Sequence, residues 1–223
     1  MDNINENRNF LLSKINDIHK NSYFKMAIIP KLIAVSKKQE DYKIDMAIAI
    51  GHKFFGENRV QEAKERWESR IKLLNDIELR LIGPLQTNKV KQALKLFDII
   101  ETLDREKLAK EIVKNIDSNI KTKSFYIQVN TGNELQKGGI VVEEANNFIN
   151  YCINDLKLPI IGLMCIPPEN EESAMHFSLL KKIALKNNLI ELSMGMSNDF
   201  QEAIKFGATS VRIGSKFFGD RQY

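Results

Sequence analysis

Two adjacent lysines, Lys37 and Lys38, follow an apolar segment that is typical of a buried strand, KLIAVSK at 31–37. Side chains alternate between the two faces of a strand, so Ile33, Val35 and Lys37 share one side. Because Ile and Val dominate the interior of closed parallel sheets, we expect that side to point inward. Partial burial beside a second cation (here Lys38) would lower the pKa of Lys37 and free its amine to attack a carbonyl. The spacing alone leaves two interpretations open, a functional Lys37 or a solvated strand end.

Two motifs rich in glycine and serine, SMGMSND at 193–199 and RIGSKFFG at 212–219, coincide with the ends of the last two strand-like segments. Glycine lets backbone N–H groups approach an anion, and Ser197 or Ser215 can donate a hydroxyl hydrogen bond. Ser197 or Asn198 could also cap the next helix and leave its positive end facing the site. Each motif alone is typical of turns and caps, but their joint position at the ends of the last two strands predicts a phosphate site.

Arg212 is a third candidate because it lies inside an apolar strand pattern, between Val211 and Ile213. A buried cation is unfavourable unless an acceptor receives its hydrogen bonds. The acceptor is either a structural carboxylate, for which Glu57 and Glu101 are candidates, or a ligand atom. An amine, a phosphate cradle and an arginine together match what pyridoxal 5′-phosphate (PLP) requires: a Schiff-base partner, a phosphate anchor and a partner for the ring nitrogen.

Eight strand-like segments alternate with helical patterns along the chain, and they must position these residues. Such alternation predicts parallel βαβ units, and eight units predict a closed (β/α)8 TIM barrel. The alternative, an open doubly wound sheet, is weakened because no G-x-G-x-x-G motif follows the first strand. The predicted strands span residues 31–37, 53–58, 77–84, 97–103, 124–131, 159–166, 190–196 and 209–215.

The rest of the chain narrows the class of protein further. The first two dozen residues predict an extra amphipathic helix, whose apolar side carries Phe10, Leu11, Ile15 and Ile18. No composition break divides the chain, so we expect one domain over residues 1–223. The net charge of +4 is spread along the sequence and gives little support to nucleic-acid binding.

Targeting and metal-binding signals are weak in this sequence. No apolar leader and no apolar run of membrane length is present, so we expect no membrane association and a cytoplasmic location. Cys152 and Cys165 form no C-x-x-C motif, and the histidines are scattered, so no metal site is predicted. Cys165 is expected to be a buried structural thiol.

Long motifs along nearly the whole chain carry a family resemblance. They are LIAVSK at 32–37, FGENRVQEAKE at 55–65, LIGPLQTNK at 81–89, ETLDR at 101–105, QVNTGNELQKGGI at 128–140, GLMCIPP at 162–168, LSMGMSNDFQEAI at 192–204 and VRIGSKFFGDRQY at 211–223. With these motifs the sequence closely resembles the pyridoxal phosphate homeostasis protein family. The resemblance implies a single-domain barrel like the cofactor domain of alanine racemase, the fold type III of PLP proteins.

The resemblance also implies a PLP site. Lys37 would carry PLP as a Schiff base, and Arg212 would face the pyridine nitrogen and keep it unprotonated, which weakens the electron sink that PLP catalysis exploits. The remaining implied cofactor-binding residues are Asn58, Met194, Ser197, Gly214 and Ser215. No residue is assigned a catalytic or metal-binding role.

The chain departs from the family pattern at a few positions. Arg80 stands where the family usually has histidine, Gly138 where it has serine, and Ser215 where it has threonine. None of these changes removes an implied PLP contact. Lys137, beside Gly138, could hold a second PLP transiently, although a solvated loop lysine is the simpler interpretation.

The resemblance implies a carrier that is not an enzyme, one that buffers PLP or delivers it to PLP-dependent apo-enzymes. The alternatives are a small racemase or decarboxylase of the same fold type and, more distantly, a barrel enzyme acting on a sugar phosphate. A racemase of this type needs a second domain that supplies a catalytic tyrosine, and the sequence ends at Tyr223, soon after the eighth predicted strand. We therefore expect an open PLP face, which allows exchange, and a monomer.

Overall fold

A computed structural model describes residues 3–22, 28–74, 76–134 and 136–219. In these ranges the strands are β1 (Lys31–Val35), β2 (Phe54–Glu57), β3 (Glu78–Leu81), β4 (Ile99–Leu103), β5 (Ser124–Asn130), β6 (Ile140–Val141), β7 (Ile160–Met164), β8 (Glu191–Ser193) and β9 (Ser210–Ile213). The helices are α1 (Ile4–Lys20), α2 (Asp41–Ala49), α3 (Val60–Leu73), α4 (Val90–Leu96), α5 (Glu106–Asn115), α6 (Val142–Asn150), α7 (Ser173–Lys186), α8 (Phe200–Lys205) and α9 (Ser215–Phe218).

Eight of these strands close into a parallel barrel. The strand order runs from β4 through β3, β2, β1, β9, β8 and β7 to β5, and β4 pairs with β5 to close the ring. The two-residue β6 adds to the side of β5 and was not predicted. The predicted (β/α)8 barrel is confirmed, and the open-sheet alternative is wrong because every barrel strand has two parallel neighbours.

The register between β1 and β9 separates the inside of the barrel from its outside. Leu32 pairs with Val211 and Ala34 pairs with Ile213, and all four residues belong to the large apolar core between strands and helices. Ile33, between them in sequence, pairs with Arg212 on the opposite face, which lines the barrel interior. The inward orientation expected for Ile33 therefore agrees with the structure.

Helix α1 packs against α8 and α9. Its buried residues are Ile4, Leu11, Ile15 and His19, while Ile18 is partly buried. The prediction that Phe10 faces the core is wrong, because its side chain is 60% exposed. Residues 1, 2, 23 and 24 of the predicted helix, like Tyr223, lie outside the described residues.

Seven of the eight predicted strands run too far at their C-terminal ends, and only β4 ends at the predicted residue, Leu103. The prediction for β3 extends to residue 84 and that for β8 to residue 196, whereas these strands end at Leu81 and Ser193. Residues just beyond, such as Ile82 and Met194, are buried and apolar but lie outside the strand ladders. An apolar sequence predicts that residues are buried, but it does not predict where strand pairing stops. Here the hydrogen-bonded pairing ends before the buried residues do, where the chain turns into the loops at the barrel mouth. Among the described helices, none combines the length and the apolar character needed to cross a membrane.

Candidate functional site

The predicted site residues gather at the C-terminal end of four neighbouring strands, in the spatial order β2, β1, β9 and β8. The carboxyl ends of parallel barrel strands meet at one rim, so loops that are distant in sequence become neighbours there. Arg212 lies within β9, just below this rim. The other six residues follow the strand ends: Asn58 follows β2, Lys37 follows β1, Gly214 and Ser215 follow β9, and Met194 and Ser197 follow β8.

The turn after β1 separates the two adjacent lysines. Ser36 is buried, and its hydroxyl donates to Glu57 Oε1 over 2.7 Å, which fixes the chain where it leaves the strand. Lys37 is half-buried, whereas Lys38 is exposed and has a left-handed backbone with φ of 57°. The two lysines thus differ in exposure, but β1 ends at Val35, so the inward orientation predicted for Lys37 from strand alternation stays a prediction. That Lys38 lowers the pKa of Lys37 stays a prediction.

Glu57 belongs to the shell between barrel and helices. Its Oε1 also accepts hydrogen bonds from Trp67 Nε1 and Arg66 Nη1 on α3, each over 3.1 Å. This carboxylate therefore anchors the β1 and β2 ends to a helix. The sequence makes Glu57 a candidate partner of Arg212, but among the described contacts its carboxylate binds Ser36, Arg66 and Trp67 instead, so that prediction is wrong.

The loops after β8 and β9 approach each other at the rim. The hydroxyl oxygens of Ser197 and Ser215 lie 3.4 Å apart. Gly195 requires glycine, because its φ is +90° and an added Cβ would lie 2.5 Å from Ala203 Cβ. Helix α8 begins at Phe200 and is flanked by Asp199, so the prediction that Ser197 or Asn198 caps this helix is wrong.

Gly214 differs from Gly195 in what surrounds it. Its φ is −106°, outside the left-handed region, and an added Cβ would meet only Val35, at 3.5 Å from its carbonyl oxygen. That separation is an ordinary van der Waals contact, so protein packing does not require glycine at this position.

Met194 and Asn58 occupy different environments at the rim. The Met194 side chain is fully buried in the apolar core outside the barrel, and its backbone N–H donates to Ser210 O over 3.2 Å. Asn58 is half-buried, and Gly83 of the next loop packs so closely on it that an added Cβ would lie 2.3 Å from Asn58 O. A ligand contact by either residue stays a prediction.

Arg212 is 3% exposed and is held by neutral acceptors. Its Nη1 donates to Ser193 Oγ over 2.7 Å, and its Nη2 donates to the carbonyl oxygen of Cys165 over 2.9 Å. In the described part of the chain the guanidinium forms no direct ion pair. Glu101, one of the two carboxylates considered, is reached only through Ser193.

Arg80 and Glu101 form a buried ion pair deeper in the barrel that sequence reasoning missed. Arg80 Nη1 donates to Glu101 Oε1 over 2.8 Å, and its Nε donates to Glu78 over 2.7 Å. Burial alone would lower the pKa of Arg80, but the neighbouring charges, Glu101 first, outweigh burial and raise it above its ordinary value. Each residue is a charge within an apolar strand pattern, which is a usable signal, but their pairing depends on the register of β3 and β4.

Lys137 and the two cysteines complete the sequence candidates. Lys137 is half-buried, its Nζ donates to Pro167 O over 3.1 Å, and it forms an ion pair with Glu134. Lys137 is therefore a partly exposed loop lysine with two partners, and transient PLP binding there stays a prediction. Cys165 is buried as predicted, and burial raises the pKa of its thiol to about 12. The described residues contain no cluster of three His, Cys, Asp or Glu side chains that could hold a metal ion.

Comparison with known proteins defines first the class and then the family. Residues 21–222 match the family model of the alanine racemase N-terminal domain. The chain is 40% identical over 202 residues to the pyridoxal phosphate homeostasis protein of Aquifex aeolicus, covering 86% of this chain and 88% of that protein. The protein of the same name from Haemophilus influenzae is 35% identical, with 99% and 97% covered. The chain belongs to the pyridoxal phosphate homeostasis protein family.

Solved structures agree with this assignment. PipY of Synechococcus elongatus with PLP bound superposes with a TM-score of 0.79 at 29% identity, covering 93% of this chain and 99% of PipY. Alanine racemase of Corynebacterium glutamicum gives a TM-score of 0.62 at 17% identity, covering 92% of this chain and 60% of the racemase. The second likeness concerns the barrel fold alone.

Proposed function

We propose that this protein binds PLP at the C-terminal mouth of its barrel and holds it for intracellular PLP homeostasis. One observation carries the proposal: Arg212 is buried on neutral acceptors beneath the rim, close in sequence to a glycine whose missing Cβ the fold does not require. The names of the relatives and the PLP-bound PipY structure support it. PLP is the coenzyme that a buried cation, a glycine cradle and a lysine amine together suit.

The residues at the mouth suit the separate parts of this cofactor. Gly214 leaves room for the phosphate, and the Ser197 and Ser215 hydroxyls, 3.4 Å apart, can donate hydrogen bonds to its oxygens. Arg212 always carries its proton, so it can only donate, and a ring nitrogen that accepts from it stays unprotonated. PLP itself supplies an aldehyde and an electron-withdrawing ring.

Lys37 is the proposed attachment point. It lies two residues beyond the end of β1, half-buried, in a turn fixed by the bond from Ser36 to Glu57. Lys37 would hold the cofactor through its amine, because a deprotonated lysine amine can condense with the aldehyde that PLP would supply, forming a C=N bond and releasing one water molecule without an oxidant or reductant. This step is reversible by hydrolysis, as a carrier requires.

The proposed role is storage and delivery to PLP-dependent apo-enzymes rather than catalysis. Reactions at the α-carbon of amino acids need the PLP ring to withdraw electrons, and a protonated ring nitrogen does this best. A ring nitrogen that accepts from Arg212 would stay neutral, which suits holding the cofactor at least as well as using it. The relatives are named for homeostasis, which agrees with this role.

Borohydride reduction of the PLP-loaded protein, followed by peptide mass analysis, tests the site. We expect a pyridoxyl adduct on Lys37 and its loss in Lys37→Ala. The adjacent, exposed Lys38 provides the matched control, because Lys38→Ala should keep the adduct and the yellow colour. An adduct found only elsewhere, or none, refutes the assignment of Lys37.

Activity assays on the same PLP-loaded protein test whether it is a carrier or an enzyme. Incubation with single enantiomers of alanine and with arginine should yield no racemisation or decarboxylation that depends on Lys37. Turnover that disappears in Lys37→Ala but persists in Lys38→Ala would instead make the protein a small PLP enzyme.

A further inference from the structure

A line of hydrogen bonds runs through the barrel interior from the buried ion pair to Arg212. Arg80 Nη1 lies 2.8 Å from Glu101 Oε1, Glu101 Oε2 lies 2.6 Å from Ser193 Oγ, and Ser193 Oγ lies 2.7 Å from Arg212 Nη1. All four residues are at most 3% exposed. Nothing in the sequence motifs groups these residues, because they come from four different strands.

The direction of each hydrogen bond follows from the chemistry of its ends. The guanidinium of Arg212 has donors only, so Ser193 Oγ must accept from it. The Glu101 carboxylate, ion-paired with Arg80, accepts, so the single hydroxyl proton of Ser193 is donated to Oε2. The Ser193 hydroxyl thus accepts one hydrogen bond and donates another. Only one orientation of its O–H bond satisfies both Arg212 and Glu101.

The two arginines differ in the charge of their hydrogen-bond acceptors. The Glu101 charge is matched by Arg80, which also contacts Glu78. Arg212 contacts a hydroxyl and a backbone carbonyl, and both are neutral. Had Glu101 paired directly with Arg212, the carboxylate would cancel much of the positive charge offered at the mouth, because close pairs interact strongly in a buried environment.

We propose that Ser193 is a positioning residue for cofactor binding: it orients the Arg212 guanidinium and separates its charge from Glu101. This inference rests on the proposed function, in which the PLP ring nitrogen would be the acceptor for Arg212. Ser193 acts through Arg212 and needs no contact with the cofactor. Its effect should therefore appear in the cofactor's affinity and spectrum.

Ser193→Ala tests the proposal, and Ser210→Ala is the matched control. Ser210 pairs in register with Ser193 on the neighbouring strand, is equally buried, and accepts from Arg80 Nη1 over 3.3 Å. Among the described contacts it does not touch Arg212. The two variants thus remove the same group from the same barrel layer, but only one of them interrupts the line to Arg212.

Three measurements are made on each variant: PLP affinity by titration of the apo-protein, the pH profile of the bound cofactor's absorbance, and thermal unfolding without PLP. We expect Ser193→Ala to weaken PLP binding about tenfold, the effect of losing a hydrogen bond to a charged group, and to shift the absorbance profile. Ser210→Ala should remain within about twofold and keep the wild-type profile. Ser193→Thr, which keeps the hydroxyl, should restore the profile. Ser193→Cys replaces Ser193→Ala if the latter does not fold.

The outcomes separate this inference from the proposed function. If wild type carries the Lys37 adduct but Ser193→Ala matches Ser210→Ala in affinity and profile, the positioning role is overturned and PLP binding stands. If wild type takes up no PLP, both are overturned. Equal losses of thermal stability in the two variants with unequal absorbance profiles would support positioning over a purely structural role.

Discussion

The inside of the barrel and the shell around it are built from different chemistry. The shell between strands and helices is a large, continuous apolar core, whereas the apolar cluster inside the barrel consists of Ile99, Tyr126 and Met164. The rest of the described interior includes the line from Arg80 to Arg212. The shell supplies the apolar burial that stabilises the fold, and the interior presents charge beneath the mouth. Substitutions in the two regions should therefore fail in different ways.

The largest expected effect comes from breaking the interior ion pair with Glu101→Gln. This change leaves the Arg80 charge buried opposite a neutral amide, and removing one partner of a buried pair costs about 4 kcal/mol. Urea unfolding without PLP should record that loss in the free energy of unfolding.

Glu78→Gln is the control for the Glu101 substitution. Glu78 also contacts Arg80, but its side chain is 23% exposed and it binds Lys31 as well. Its loss should cost about 1 kcal/mol or less. If both variants lose the same small amount, the barrel interior does not depend on a buried charge pair.

The contrast between the two regions explains which features the sequence predicts. The eight strands are predictable because strands covered on both faces leave continuous apolar segments, as in residues 32–35. Arg212 is predictable as a candidate because a charge interrupts such a segment. The link between Ser193 and Glu101 is not, because 92 residues separate them and only closure of the barrel brings them together.

The residues at the rim of the barrel are only partly predictable from the sequence. Family motifs identify these residues, but they do not show that the Met194 side chain lies in the shell while Arg212 lies inside. That difference follows from strand register, which sequence periodicity fixes only to within a residue or two. Helix starts are equally sensitive, as the flank of α8 at Asp199 demonstrates.

A buried histidine of the shell, His52, should make the free energy of unfolding depend on pH. His52 is buried in the shell against Phe55 and Phe217, and burial lowers its pKa from 6.5 to about 4. At pH 5 the histidine of the unfolded chain is protonated while that of the folded chain is neutral, so protons favour unfolding. The free energy of unfolding should fall by about 2 kcal/mol between pH 7 and pH 5 because of this group.

His52→Gln isolates that contribution, because glutamine does not titrate. The variant should be less stable than wild type at pH 7, and the difference between the two proteins should shrink by about 2 kcal/mol at pH 5. Urea unfolding at both pH values gives the four numbers needed. Parallel pH curves for the two proteins would exclude a neutral, buried His52 as the source of acid sensitivity.

The smallest effect on stability is expected at the rim, with Gly214→Ala. Because an added Cβ would meet Val35 at ordinary distances, the free energy of unfolding without PLP should change by about 0.5 kcal/mol or less. PLP affinity should nevertheless fall about tenfold or more, because the methyl group occupies the space proposed for the phosphate.

Gly195→Ala is the opposite case, since its φ of +90° and the close Ala203 Cβ make glycine a requirement of the fold itself. That variant should lose about 1–3 kcal/mol without PLP. The expected result is that Gly195 is required for stability and Gly214 for PLP binding, although the two glycines lie in adjacent loops. Equal destabilisation of both apo-proteins would remove the reason for assigning Gly214 to the cofactor.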